Sequence, residues 1–216
     1  MRFRDRRQAG AELALRLRYL RGHHTVVLGS SGGGLLVAKE IADVLHAPLD
    51  VLLTHRIEFG PPTTTLGAVG EGDVLVSDHD ALRRFSLTPE QFSQLAGQAR
   101  AELARQIAGY RRPLPPVPIT GQTVVLADDG VATGATAHAA IRVLRARGVR
   151  EVVLAVPVGP ARTLDRLARE VDQLLCLRPL PWMHAVRNSY TDFTGVADTD
   201  AIALLGGEPA PPVAAR

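Results

Sequence analysis

The sequence predicts an α/β fold: a central, mostly parallel sheet flanked by helices, with a small irregular segment near the C-terminus. Three observations predict it. Short, continuous apolar runs recur at Thr25–Gly29, Pro48–Thr54, Thr123–Ala127 and Glu151–Pro157, the pattern of strands buried on both faces. Stretches with helical apolar spacing alternate with them, which favours parallel βαβ units. Two of the runs pass directly into loops of small residues and then into helices. A chain of 216 residues suits one domain of this kind. At that size about 70% of the unfolded surface can be buried, so no metal or disulfide staple is required.

Taken in order, residues 5–20 place Ala9, Leu13, Leu17 and Leu20 on one face of an amphipathic helix with an arginine-rich outer face. Thr25–Gly29 is a buried strand, Ser30–Gly34 a glycine-rich loop, Leu35–His46 a helix and Pro48–Thr54 a second strand. From Glu58 to Thr65 the chain is rich in Pro, Gly and Thr and loses apolar periodicity. This reads as a long loop with a functional purpose. Asp73–Ser77 suggests a strand. Thr88, Pro89 and Gln91 form a capping box with proline in the first turn, opening a helix that runs to about Tyr110. Arg111–Ile119 holds four prolines and is a rigid connector. Then come the strand Thr123–Ala127, a helix from Gly134 to Arg147, the strand Glu151–Pro157, a helix over Ala161–Val171 and a strand over Gln173–Leu177. Residues 181–195 are irregular and hold Trp182, Tyr190 and Phe193, and Asp198–Leu205 is a short closing helix. Residues 1–205 thus form the single expected domain, and 206–216, rich in Gly, Pro and Ala, are expected to be a disordered tail.

Composition removes several classes of function. Lys+Arg 25 against Asp+Glu 22 leaves +3, and Lys39 is the sole lysine. Aromatic residues make up 4%, too few for a stacking platform for nucleic acid. The arginine clusters at 2–7, 83–84 and 142–150 have acidic residues among them and read as solvated helix faces. Nucleic acid is therefore not an expected partner. One cysteine, Cys176, excludes an internal disulfide framework and a cysteine-based zinc cage. Met1–Arg7 has no apolar segment behind it, and no apolar run approaches membrane-spanning length. The expected location is the cytoplasm.

The chemistry is concentrated in Val124–Thr136. A buried strand ends in two adjacent carboxylates, Asp128 and Asp129. A loop of small residues follows, and a helix begins. Ligands of parallel sheets bind at the carboxyl ends of strands. A helix N-terminus with unpaired N–H groups suits a phosphate. Thr133 and Thr136 add hydroxyls, and Gly134 lets the backbone come close. The carboxylates cannot bind the phosphate itself. They can accept hydrogen bonds from sugar hydroxyls or hold a divalent cation through water. A phosphate pocket beside a diol pocket describes a 5-phosphorylated ribose.

The run Asp128–Thr136 resembles the motif of type I phosphoribosyltransferases that binds 5-phosphoribosyl 1-pyrophosphate (PRPP). Phe3, Asp5, Arg6, Ala9, Gly10, Leu66–Val69, Tyr190, Asp192 and Phe193 are similar to a bacterial group of small phosphoribosyltransferase-like proteins. The resemblance covers the chain up to about residue 205. It implies the type I phosphoribosyltransferase fold with a C-terminal hood at about 178–205. It further implies transfer of a 5-phosphoribosyl group between PRPP and a nitrogenous base or related nucleophile, with release of pyrophosphate. Mg²⁺ would be the cofactor and the assembly a homodimer.

By the same resemblance, Asp128 and Asp129 contact the ribose hydroxyls, and Ala132, Thr133, Gly134, Ala135 and Thr136 wrap the 5-phosphate. Ser30, Ser31, Gly32 and Gly33 form the pyrophosphate loop. Similar proteins carry Pro-Arg-Gly-Gly there, so Ser31 and Gly32 leave the loop without its guanidinium. Arg56 is then the candidate cation beside pyrophosphate, and residues 58–66 take the place of the closing loop. Trp182, Val186 and Tyr190 in the hood suit an apolar slot for a flat base, and equally suit packing against the sheet edge. A non-catalytic PRPP- or nucleotide-binding regulator on the same fold is the alternative. Gly29–Gly33 also matches the bare Gly-x-Ser-x-Gly pattern of hydrolases, but so short a match in a glycine-rich loop carries little weight.

Overall fold

The computed structural model describes residues 2–61, 63–112 and 114–206. Helix α1 (Arg6–Arg16) starts where the Asp5 carboxylate accepts the Gln8 N–H at 2.7 Å. Strand β1 (Thr25–Ser30) leads into α2 (Gly33–Leu45), and β2 (Leu49–Leu52) follows. Strands β3 (Thr54–Phe59), β4 (Thr64–Gly70) and β5 (Val74–Ser77) precede a short helix α3 (His79–Arg84) and the long α4 (Pro89–Arg111). The second half runs β6 (Thr123–Ala127), α5 (Ala135–Ala146), β7 (Glu151–Pro160), α6 (Ala161–Leu167), β8 (Gln173–Leu180) and α7 (Asp198–Leu204).

Five strands form the central sheet in the order β2-β1-β6-β7-β8, every neighbouring pair parallel. Successive side chains of β6 point to opposite faces. Val124 and Leu126 therefore pack with Ile141 and Leu144 of α5, whereas Val125 and Ala127 pack with Leu13 of α1, Leu17 just beyond it and Ile41 of α2. The direction of strand addition reverses between β1 and β6. That reversal leaves a crevice at the carboxyl ends of these two strands, where their loops diverge.

A second, antiparallel sheet has the order β3-β4-β5. Its apolar face, with Leu66 and Val69, packs together with Leu103 and Tyr110 of α4 and Ile202 of α7. Here the structure corrects the expected loop over 58–65. Most of that stretch is a hairpin, with Glu58 opposite Thr65 and Phe59 opposite Thr64 after a register shift at Ile57. The threonines that read as loop are β-branched and pair well across a ribbon. The strand expected over 48–54 stops at Leu52, so Arg56 belongs to the ribbon and not to the parallel sheet. Helix α6 stops at Leu167 rather than 171, while β7 and β8 run about three residues further than their apolar runs suggest.

One buried ion network ties these parts together. Arg111, at the end of α4, donates to both oxygens of Asp50 at 2.8 and 3.0 Å, to the Val51 carbonyl at 2.8 Å and to Glu71 at 3.1 Å. Asp50 also accepts the Val117 N–H at 3.0 Å, which anchors the proline-rich connector, and Arg147 reaches Glu71 at 3.2 Å. Of the tail expected to be disordered, residues 207–216 lie outside the described residues. Among the described residues no helix is long and apolar enough to cross a membrane.

Candidate active site

A cavity of about 660 Å³ opens at the strand reversal. Asp128 and Asp129 follow β6 directly, so the most central strand of the sheet delivers both carboxylates to its floor. The Asp128 carboxylate accepts the Ser30 hydroxyl at 2.5 Å and the Asp129 N–H at 2.8 Å. The end of β1 and the turn after β6 are thus joined by a hydrogen bond. Burial pushes the Asp128 carboxyl above the usual carboxylate range, and the neighbouring Asp129 charge pushes it further. Asp129 is also raised by burial, while its ion pair with Arg6 at 2.7 Å pulls in the opposite direction.

Thr133, Gly134 and Thr136 line the cavity where α5 begins. Gly134 caps this helix with φ 85°, a left-handed conformation that other residues adopt at a cost. A Cβ there would also stand 2.9 Å from Thr163. Behind the loop, the Thr163 hydroxyl donates to the Ala132 carbonyl at 2.9 Å, and Arg166 reaches the Thr133 carbonyl at 3.3 Å. These two contacts tie the loop before α5 to α6, and the Ala135 N–H lies 3.4 Å from the Thr133 hydroxyl. Gly134→Val is expected to lower the Tm by a few degrees in a thermal melt, because a β-branched residue at this φ must shift both the cap and the helix start.

Several predicted site residues meet here. Ser30, Ser31, Arg56, Asp128, Asp129, Ala132, Thr133, Gly134, Thr136 and Val186 share the one cavity. Gly32 and Gly33, at the start of α2, are not among the residues lining it, and Ala135 lines a smaller neighbouring cavity. Arg56 reaches the cavity from the ribbon, with 60% of its side chain exposed and Glu58 at 3.2 Å.

The aromatic residues differ from the expected slot. Trp182 is 68% exposed, stands edge-on to His184 and does not line the cavity. Tyr190 is buried beneath the site, where its hydroxyl donates to the Asp129 carbonyl at 2.6 Å. Its ring packs between Phe3 and Phe193, and burial raises its pKa. Tyr190 therefore holds the acidic turn from below. Tyr190→Phe is expected to lower the Tm by a few degrees, as loss of one buried hydrogen bond worth about 1 kcal/mol does in a domain of this size.

Sequence reasoning missed Arg6 as a site residue. It lies in an arginine run that reads as a solvated face, yet its side chain is 8% exposed and touches Asp129. The signal in the sequence was its place in the Asp5-Arg6 pair that carries the family resemblance, which gave Arg6 no role of its own. Gln106, His184, Arg187 and Phe193 also line the cavity without having been singled out as site residues.

Comparison with known proteins places the chain in a family. The sequence model of the phosphoribosyl transferase domain matches residues 5–186, and the chain belongs to that family. Its five-stranded parallel sheet with flanking helices is the type I phosphoribosyltransferase fold. Two relatives from Mycobacterium tuberculosis, "Putative phosphoribosyl transferase MT0597" and "Putative phosphoribosyl transferase Rv0571c", are each 41% identical over 204 residues. Those matches cover 94% of this chain and 46% of each relative, so the chain spans about half their length. The crystal structure of TT1426 from Thermus thermophilus is similar with a TM-score of 0.78 and 41% identity, over 95% of this chain and 98% of that one.

Proposed function

We propose that this domain transfers a 5-phosphoribosyl group from PRPP to a nitrogen nucleophile and releases pyrophosphate. One observation carries the reading. The acidic pair after β6, the start of α5 and the loop after β1 all open into a single cavity. Its dimensions suit a sugar with a phosphate at each end.

The N–H groups at the start of α5, with the hydroxyls of Thr133 and Thr136, hold the 5-phosphate. This remote anchor uses binding energy to position the reacting carbon. Asp128 and Asp129 accept hydrogen bonds from the ribose hydroxyls. As the bond from C1 to the pyrophosphate oxygen breaks, positive charge grows on the sugar, and the same carboxylates stabilise it. The nitrogen lone pair then forms the new bond to C1, its N–H proton passes to water or to the departing pyrophosphate, and pyrophosphate leaves along the Ser30–Gly33 loop. Val186 offers an apolar wall for a flat base, with His184 and Arg187 as polar neighbours.

The donor set suits Mg²⁺ held through water, because the carboxylates of Asp128 and Asp129 are hard oxygen ligands and substrate oxygens can supply the remainder. When bound, the ion would neutralise charge on the leaving pyrophosphate. A cytoplasmic setting and a homodimer belong to the same reading and rest on the family resemblance.

A second reading is a non-catalytic PRPP- or nucleotide-binding regulator. It draws on the absence of an arginine from Ser30–Gly33 and on the pairing of Arg56 with Glu58. Phosphorus NMR of PRPP, incubated with Mg²⁺ and a panel of purine and pyrimidine bases, separates the two. Base-dependent appearance of pyrophosphate, lost in Asp129→Asn, supports the enzyme. Tight binding of PRPP with no consumption by any base supports the regulator.

A further inference from the structure

The Arg6 guanidinium is placed for more than an ion pair. Its Nε donates to Asp129 at 2.7 Å, and one terminal nitrogen donates to the Thr194 carbonyl at 2.7 Å. The guanidinium lies over the Phe193 ring, its central carbon 3.6 Å from the ring centroid. A guanidinium has five N–H donors. The other terminal nitrogen has no hydrogen-bond partner among the described residues, although the side chain is only 8% exposed and borders the cavity. The group also stands directly against the loop after β1. A Cβ on Gly33 would fall 2.3 Å from Arg6 Nε and 2.8 Å from its central carbon. Only glycine leaves room for the cation there.

Resting on the phosphoribosyl reading, we propose that Arg6 is the anion-binding cation of the pyrophosphate subsite, reaching from α1 to the loop that lacks its own arginine. Asp129, Thr194 and Phe193 fix the guanidinium plane on one side. The unpaired N–H edge is left for a diphosphate oxygen lying along Ser30–Gly33. Preorganisation of this kind removes the ordering cost that a mobile surface arginine would add on binding. Arg56, largely exposed and paired with Glu58, lacks it.

Two probes separate this role from mere support of Asp129. Inorganic pyrophosphate with Mg²⁺ and ribose 5-phosphate are titrated separately into the wild-type protein, Arg6→Gln and Arg6→Lys, each checked for folding by a thermal melt. Arg6→Gln is expected to weaken pyrophosphate about tenfold or more, the loss for one charge-assisted hydrogen bond. Ribose 5-phosphate should change by less than about threefold, and Arg6→Lys should fall between wild type and Gln for pyrophosphate. Equal losses of both ligands, or no loss of pyrophosphate, overturn the proposal, as does a wild-type protein that binds ribose 5-phosphate but not pyrophosphate. A folded wild-type protein that binds neither overturns the phosphoribosyl reading and the role of Arg6 with it. If Arg6→Gln does not fold, Phe193→Leu is read instead. It removes the ring beneath the guanidinium, so selective weakening of pyrophosphate supports the proposal and unchanged affinity contradicts it.

Discussion

Asp128→Asn combined with Asp129→Asn is expected to weaken PRPP binding by at least a hundredfold. Each carboxylate that accepts a sugar hydroxyl makes a charge-assisted hydrogen bond worth about 1.5–3 kcal/mol, and two such losses reach that range. The free protein should respond in the opposite sense. Burial raises both carboxyls above their unfolded values. Between the unfolded and folded pKa the folded state holds more protons, so stability is highest below the unfolded value and falls as pH rises through the folded one. At neutral pH the ionised pair therefore opposes folding. Asp128→Asn alone should raise the Tm at pH 7–8 and flatten the fall in Tm between about pH 4 and pH 8, measured by thermal melts across that range. A Tm at pH 7 below wild type would show that the Ser30 hydrogen bond outweighs burial and charge repulsion. Loss of ligand binding with gain of stability is the pattern of a functional site that carries its own strain.

The largest effect on folding is expected at Arg111. Its side chain is 15% exposed and bridges Asp50, Glu71 and the Val51 carbonyl. Removing one partner of a buried ion pair leaves the other charge uncompensated and costs about 3–5 kcal/mol. Arg111→Met strands Asp50 and frees the end of α4 together, so chemical denaturation should show a loss of that size. Arg111→Met with Asp50→Leu should recover part of it, because no charge is then left unpaired at that position. A single variant within about 1 kcal/mol of wild type would mean that water solvates Asp50 in its place.

Much of this molecule was legible in its sequence, for reasons that differ between segments. The parallel strands announced themselves because both faces are buried, so Val124–Leu126 and Val152–Leu154 are unbroken apolar runs. The helix start at Thr88 was legible because its capping box is local: Thr88 and Gln91 satisfy each other's backbone groups across three residues. The turn from β6 into α5 was legible because a buried strand runs into two carboxylates and a stretch of small residues, with Gly134 at positive φ opening the helix.

What was hidden depends on contacts distant in sequence. In the ribbon over 54–70, β4 is buried on both faces from Leu66 to Gly70, with Ala68 beside Val76 and Ala139, and glycine within the strand and a register shift break the pattern, so no clean alternation survives to mark it. Arg6 meets Asp129 across 123 positions of the chain, and no local pattern distinguishes it from Arg4 or Arg7 on the surface. Trp182 and Tyr190 read alike in the sequence and part ways in the structure. The larger aromatic lies outside, and the tyrosine turns inward because its hydroxyl finds the Asp129 carbonyl.

The most direct test of the central claim is calorimetric titration of PRPP into the folded wild-type protein, with and without Mg²⁺. Saturable binding with one PRPP per chain, tighter with Mg²⁺, is the predicted result. Absence of binding under both conditions, in protein with an intact thermal transition, would contradict the claim that this cavity is a PRPP site.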